Sequence, residues 1–72
     1  MTWNYRIVAI PWEDETEYAI YEVYYDDDGK PIARTEQPVG CIAADIRELA
    51  QEFKYMSLAF TEPVLHEEDF RS

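Results

Sequence analysis

The sequence predicts an α+β domain: a three-stranded antiparallel β-meander with one C-terminal helix packed on one face, in the order β-β-β-α. Three observations predict it. Residues 3–10 and 18–25 are runs dominated by β-branched and aromatic residues. The stretch "DDDG" follows the second run directly and leads into "KPIAR", which reads as a hairpin turn with its return strand. Between residues 43 and 60 the apolar residues change to spacings of three and four, the period of a helix.

The first strand, residues 3–10, is expected to stop at Pro11, because proline cannot donate to a sheet ladder. "WEDETE" then reads as a charged connection. The second strand, residues 18–25, is the strongest β-former in the chain. A three-residue loop of Asp27, Asp28 and Gly29 would place Gly29 in the left-handed conformation of a type I turn plus bulge. That register sets Asp26 opposite Lys30, Tyr24 opposite Ile32 and Glu22 opposite Arg34, so opposite charges meet twice across the hairpin. The third strand, residues 31–36, is short.

The helix over 43–60 carries Ile46, Leu49, Ala50, Phe53, Met56 and Phe60 as one apolar stripe, which reads as core. Asp45 near its start suits the positive end of the helix dipole, and Glu62-Pro63 ends it. Residues 61–72 form a tail whose Val64 and Leu65 are poised to tuck against the domain. One helix covers one face of the sheet. The face bearing Ala19, Tyr21, Val23 and Tyr25 is assigned to it, because Ala19 and Ala33 leave room and Glu22 and Arg34 prefer water. The opposite face would then show Tyr18, Ile20, Tyr24 and Ile32, an apolar-aromatic patch larger than a monomer usually exposes. With the faces reversed, Tyr21, Val23 and Tyr25 would form the open patch instead.

Seventy-two residues make a single domain, 1–72, near the lower limit for a self-sufficient core. At 47% apolar and 15% aromatic it is too rich for a disordered acidic tail. Six Lys and Arg stand against sixteen Asp and Glu, a net charge of −10. Such an excess disfavours direct contact with nucleic acid or anionic membrane and points to a basic partner. Cys41 is alone, so an internal disulfide is impossible and a reducing, cytoplasmic setting is the simpler reading. The opening "MTWNYRIVAIPWED" reads as neither signal peptide nor membrane span.

Catalytic and metal chemistry find little support in the residues. Aligning Gly29 with the glycine of a calcium loop leaves Tyr24 and Thr35 where carboxylates are needed. His66 is the only histidine and lacks the further ligands a zinc site requires. No nucleophile elbow or phosphate-cradling glycine loop occurs. The expectation is a non-enzymatic protein without metal or cofactor. Its acid lies mostly outside the helix, in Glu13, Asp14, Glu15 and Glu17, then Asp26, Asp27 and Asp28, then Glu67, Glu68 and Asp69. The first two groups fall at opposite ends of the sheet in a meander.

"WNYRIV" and "YEVYYDDDGKPIARTEQPV" resemble a group of small uncharacterised bacterial and phage proteins. There a W-N-Y-R start precedes an E-V-Y-Y-D-x-D-G-K-P hairpin and a Glu/Leu-rich helix, often followed by P-V-L. The resemblance covers about two-thirds of the chain, and it implies the fold without an activity. In "GCIAADIRELAQEF" the usual polar helix cap is missing. In size and charge alone the chain is also similar to acidic phage-encoded inhibitors of the anti-CRISPR type.

The leading expectation is therefore an inhibitor or regulator that occupies the basic groove of a nucleic-acid-binding protein or complex, most concretely a CRISPR effector, and blocks DNA entry. Glu13, Asp14, Glu15, Glu17, Asp26, Asp27 and Asp28 would replace phosphates, with Tyr18 and Tyr24 as anchors that stack on arginines. The competing expectation is an accessory domain that homodimerises through the open tyrosine-rich sheet face.

Overall fold

The computed structural model describes residues 2–70. It is α+β, with four strands rather than three and a sheet that is mixed rather than purely antiparallel. The order along the chain is β1 (Thr2–Trp12), β2 (Glu15–Tyr25), β3 (Pro31–Arg34), α1 (Ile46–Ser57), a 3₁₀ turn Leu58–Thr61, β4 (Leu65–His66) and a second 3₁₀ turn Glu67–Phe70. In space the strands run β3-β2-β1-β4, and β4 lies parallel to β1.

Pro11 does not end the first strand. It sits inside an unbroken ladder that pairs Thr2 with Tyr25 and Trp12 with Glu15. β4 flanks β1 only at Val8 and Ala9, so β1 is an edge strand at Pro11, and edges tolerate proline. The charged connection is thereby reduced to a two-residue turn, Glu13-Asp14. Glu13 takes a positive φ of 45°, a conformation that costs a non-glycine residue of order 1 kcal/mol or more.

The second turn forms as its sequence dictates, and the strand after it does not. Gly29 has φ 79°, its N–H reaches the Asp26 carbonyl at 3.0 Å, and the Asp26 N–H reaches the Lys30 carbonyl at 3.0 Å. Beyond this a bulge shifts the ladder, pairing Tyr25 with Pro31, Tyr24 with Ala33 and Val23 with Arg34. Tyr24 thus faces Ala33 instead of Ile32, and Arg34 no longer faces Glu22. Pro31 has no N–H to give the ladder, and regular pairing resumes one residue out of step. A slip of one residue moves a side chain to the other face. Arg34 accordingly lies over the Tyr21 ring, 4.7 Å from its centroid, and forms an ion pair with Glu67 at 3.1 Å. β3 stops at Arg34, short of the expected residue 36. The chain still follows the β2 edge, with the Thr35 N–H on the Glu22 carbonyl and the Val39 N–H on the Ile20 carbonyl.

The face of β2 bearing Tyr21, Val23 and Tyr25 is buried, but the helix is not what covers it. The main core consists of Val8, Tyr21, Val23, Tyr25 and Leu65, with Ile10, Ala19 and Phe70 packed against it. Residues 63–70 cross this face. β4 carries Leu65 onto it, the Arg6 guanidinium donates to the Pro63 carbonyl at 2.7 Å, and Glu67 holds Arg34 at the far side. Arg6 also donates to the Tyr25 hydroxyl, which donates to Asn4 Oδ1 at 2.6 Å. Of the two residues expected to tuck in, Leu65 does, while Val64 stays 38% exposed.

The helix begins later and docks on the opposite side. Asp45 is its N-cap: its carboxylate accepts the Glu48 N–H at 2.9 Å, and the Glu48 carboxylate reaches back to the Ala44 N–H. The cap missing at residue 43 is therefore present two residues on. Tyr5, on the face opposite Val8 by strand alternation, bonds Glu52 of α1. Ala9, Met56 and Ala59 are buried outside the main cluster. The expected core stripe is divided: Met56 is buried and Leu49 half-buried, while Ile46, Phe53 and Phe60 are 78%, 66% and 70% exposed. Ile42, just before the helix, is 91% exposed. The helix leans on its Leu49–Met56 edge and leaves Ile46, Ala50 and Phe53 to solvent.

Candidate partner-binding surfaces

The acidic residues named from sequence form two separate groups. Glu13 and Asp14 make the β1–β2 turn with Glu15 and Glu17 at the start of β2; Asp26, Asp27 and Asp28 make the β2–β3 turn. The groups lie at opposite ends of β2, whose eleven residues include Glu15 and Glu17 and extend about 33 Å at strand rise. Among the described residues one ion pair occurs, between Arg34 and Glu67, and it involves neither group. Glu13, Asp14, Glu15, Glu17, Asp27 and Asp28 are all exposed.

Asp26 differs from its neighbours. It is partly buried, and one of its carboxylate oxygens accepts the N–H groups of both Asp28 and Lys30 at 2.9 Å. That is an Asx-type turn bond, so Asp26 holds the turn that displays Asp27 and Asp28.

The two tyrosine anchors differ in setting. Strand alternation puts Tyr18 on the face away from Glu15 and Glu17, where it pairs with Ala9 and is 64% exposed. Tyr24 is half-buried and donates its hydroxyl to Glu22 at 3.2 Å. The expected open patch is also reduced: Tyr18 and Ile32 are exposed, but Ile20 and Tyr24 are half-covered. Cys41 is half-buried with its Sγ 3.1 Å from Met56 Sδ. Among the described residues no cluster of three or more His, Cys, Asp or Glu could hold a metal ion. No helix among them is long and apolar enough to cross a membrane.

A site absent from the sequence reading lies between β1 and the helix. Trp3, Tyr5, Glu52, Tyr55, Leu58 and Glu62 line a groove of about 580 Å³. Trp3 and Tyr5 stand edge to face, with ring centroids 5.3 Å apart and planes at 85°. The Tyr5 hydroxyl donates to Glu52 at a long 3.4 Å. Two signals could have found the site: Trp3 and Tyr5 share a strand face at spacing two, and Glu52, Tyr55 and Leu58 recur at spacing three along α1 and into the 3₁₀ turn that follows it.

Partial burial raises the Tyr5 phenol above its ordinary 10.0, and the charges of Glu52 and Glu22 add to the shift. Tyr24 is raised by the same kind of burial, then by its bond to Glu22. A raised phenol holds its proton more tightly in the folded chain. These tyrosines therefore contribute stability that is complete below pH 10.0 and is lost as pH climbs through the folded value. Denaturant midpoints measured from neutral to strongly alkaline pH should fall in that window. Glu52→Gln should bring Tyr5 ionisation, followed by tyrosinate absorbance, back towards 10.0; an unchanged Tyr5 titration would refute the coupling.

Comparison of the chain with protein families, curated proteins and solved structures finds no match in any of the three. Function must therefore be read from the surfaces themselves.

Proposed function

We propose that the chain is a non-enzymatic inhibitor or regulator that occupies the basic nucleic-acid-binding groove of a partner complex, most concretely a CRISPR effector, and keeps DNA out. The observation that supports this reading is the pair of un-neutralised acidic turns at the two ends of one long hairpin. The strand that joins the two turns extends about 33 Å, close to the ~34–36 Å of one duplex turn, so both can meet cationic side chains spaced for phosphates. The test is capture of partners from a nuclease-treated host lysate on tagged protein, washed at low and high salt. The expected result is a nucleic-acid-binding complex that high salt sheds and added duplex DNA displaces. Recovery that ignores both salt and DNA would rule the reading out.

One observation favours a second reading, self-association. The exposed flank of α1, with Ile46 and Phe53, is apolar, and Arg47 and Lys54 balance Glu48 and Glu52 within the helix. On a chain of net charge −10 this is where two copies meet with least repulsion. The surface is the helix rather than the tyrosine face. Ile46→Glu with Phe53→Glu should leave the melting temperature near that of the parent, both sites being exposed, and convert a dimer to a monomer in sedimentation equilibrium. A parent chain that already sediments as a monomer at high concentration removes this reading.

A further inference from the structure

We propose that the groove between the start of β1 and α1 accepts an arginine side chain of a protein partner. The inference goes beyond phosphate mimicry, because it uses none of the residues in the acidic turns.

The walls of the groove are mostly aromatic, its charged groups are both acidic, and Asn4 and Thr61 are its neutral polar lining. Trp3 and Tyr5 form a right-angled corner, and Tyr55 faces the same space from the helix. Trp3 and Tyr55 are 51% and 53% exposed, so ring surface is available to a ligand. Glu52 and Glu62 also line the space, and no lysine or arginine does. The long 3.4 Å contact from Tyr5 leaves the Glu52 carboxylate with most of its acceptor capacity unused.

This combination selects among occupants. A purely apolar side chain would cover the rings but would desolvate two carboxylates without a partner, which is unfavourable. An anion would be repelled. A cation gains from both features, since ring faces attract positive charge and carboxylates accept its N–H groups. Between the two basic side chains, the guanidinium fits better. It is planar and weakly hydrated, it stacks on an aromatic face, and its edge still presents a fork to a carboxylate, whereas an ammonium is a strongly hydrated point charge. The fold already uses the same chemistry once: Arg34 lies on the Tyr21 ring while binding Glu67.

Trp3 itself reports occupancy. The chain has two tryptophans, so Trp12→Phe leaves Trp3 as the only one. This variant of the full chain is titrated at low salt with a blocked Gly-Arg-Gly peptide and, in parallel, with its citrulline and lysine counterparts. Citrulline keeps the shape of arginine without the charge. Saturable change in Trp3 fluorescence is expected, with the arginine peptide binding about tenfold more tightly than the citrulline peptide and measurably more tightly than lysine. Glu52→Gln should remove most of that preference. Asp27→Asn with Asp28→Asn should leave it intact, which separates a groove from general attraction to an acidic chain. Equal responses to arginine and citrulline would overturn the proposal, as would an arginine response that Glu52→Gln leaves unchanged or that the Asp27 and Asp28 changes abolish.

Discussion

A chain stopped at Glu62 is expected to be unfolded, with no cooperative thermal transition and a largely unstructured circular dichroism spectrum. Stopping there would remove Leu65 from the main core and Phe70 from against it, and leave Val8, Tyr21, Val23 and Tyr25 facing water. It also takes away Glu67, the ion-pair partner of Arg34, and the Pro63 carbonyl that receives Arg6. A domain of this length has roughly 4–11 kcal/mol of total stability, at ~0.05–0.15 kcal/mol per residue. The single change Leu65→Ala should cost about 2–5 kcal/mol of that, by lost burial and the cavity left behind. The milder variant guards against attributing loss of fold to truncation alone. A truncated chain that still melts cooperatively would show that the sheet is covered by something other than residues 63–70.

The second large effect concerns the partner. Reversing Asp14, Glu17, Asp27 and Asp28 to lysine changes the net charge by +8, from −10 to −2. All four are exposed, so each should shift stability by no more than about 0.5 kcal/mol. Asp26 is left in place because it holds the second turn. On the phosphate-mimic reading, affinity for the captured complex at low salt should collapse. The slope of log affinity against log salt should flatten by about one unit per reversed residue, about four in all. Unchanged affinity and slope, measured by titration calorimetry over a salt series, would assign the acidic turns to solubility and leave binding to other surfaces.

Local chemistry was legible in the sequence wherever it is self-contained. Gly29 and Asp26 specify the second turn because only certain backbones satisfy three aspartates and a glycine between strands, and that turn is as expected. The bulge after it was not legible, since it depends on how the ladder resumes beyond Pro31; with it went the partner of Arg34. The period of α1 announced a helix and named its apolar positions. It could not say which edge of the stripe would rest on the sheet, because that depends on what already occupies the other face. β4, two residues long, has no periodicity to read. The candidate surfaces divide the same way: the acidic turns are contiguous in sequence and were found, whereas the groove joins Trp3 and Tyr5 to Glu52 and Tyr55 only after docking.

The parallel pairing of Val8 with Leu65 also carries a cost in time. Tyr25 completes the β1–β2 hairpin forty residues before Leu65 is made (65 − 25), and translation adds ~5–20 residues per second. For about 2–8 seconds on the ribosome the hairpin thus has Val8, Tyr21, Val23 and Tyr25 made and Leu65 not yet made. Each nascent chain should be a brief client of ribosome-bound chaperones during that interval. Stalling synthesis shortly before Leu65 should capture it in that company, and completing and releasing the chain should let it go.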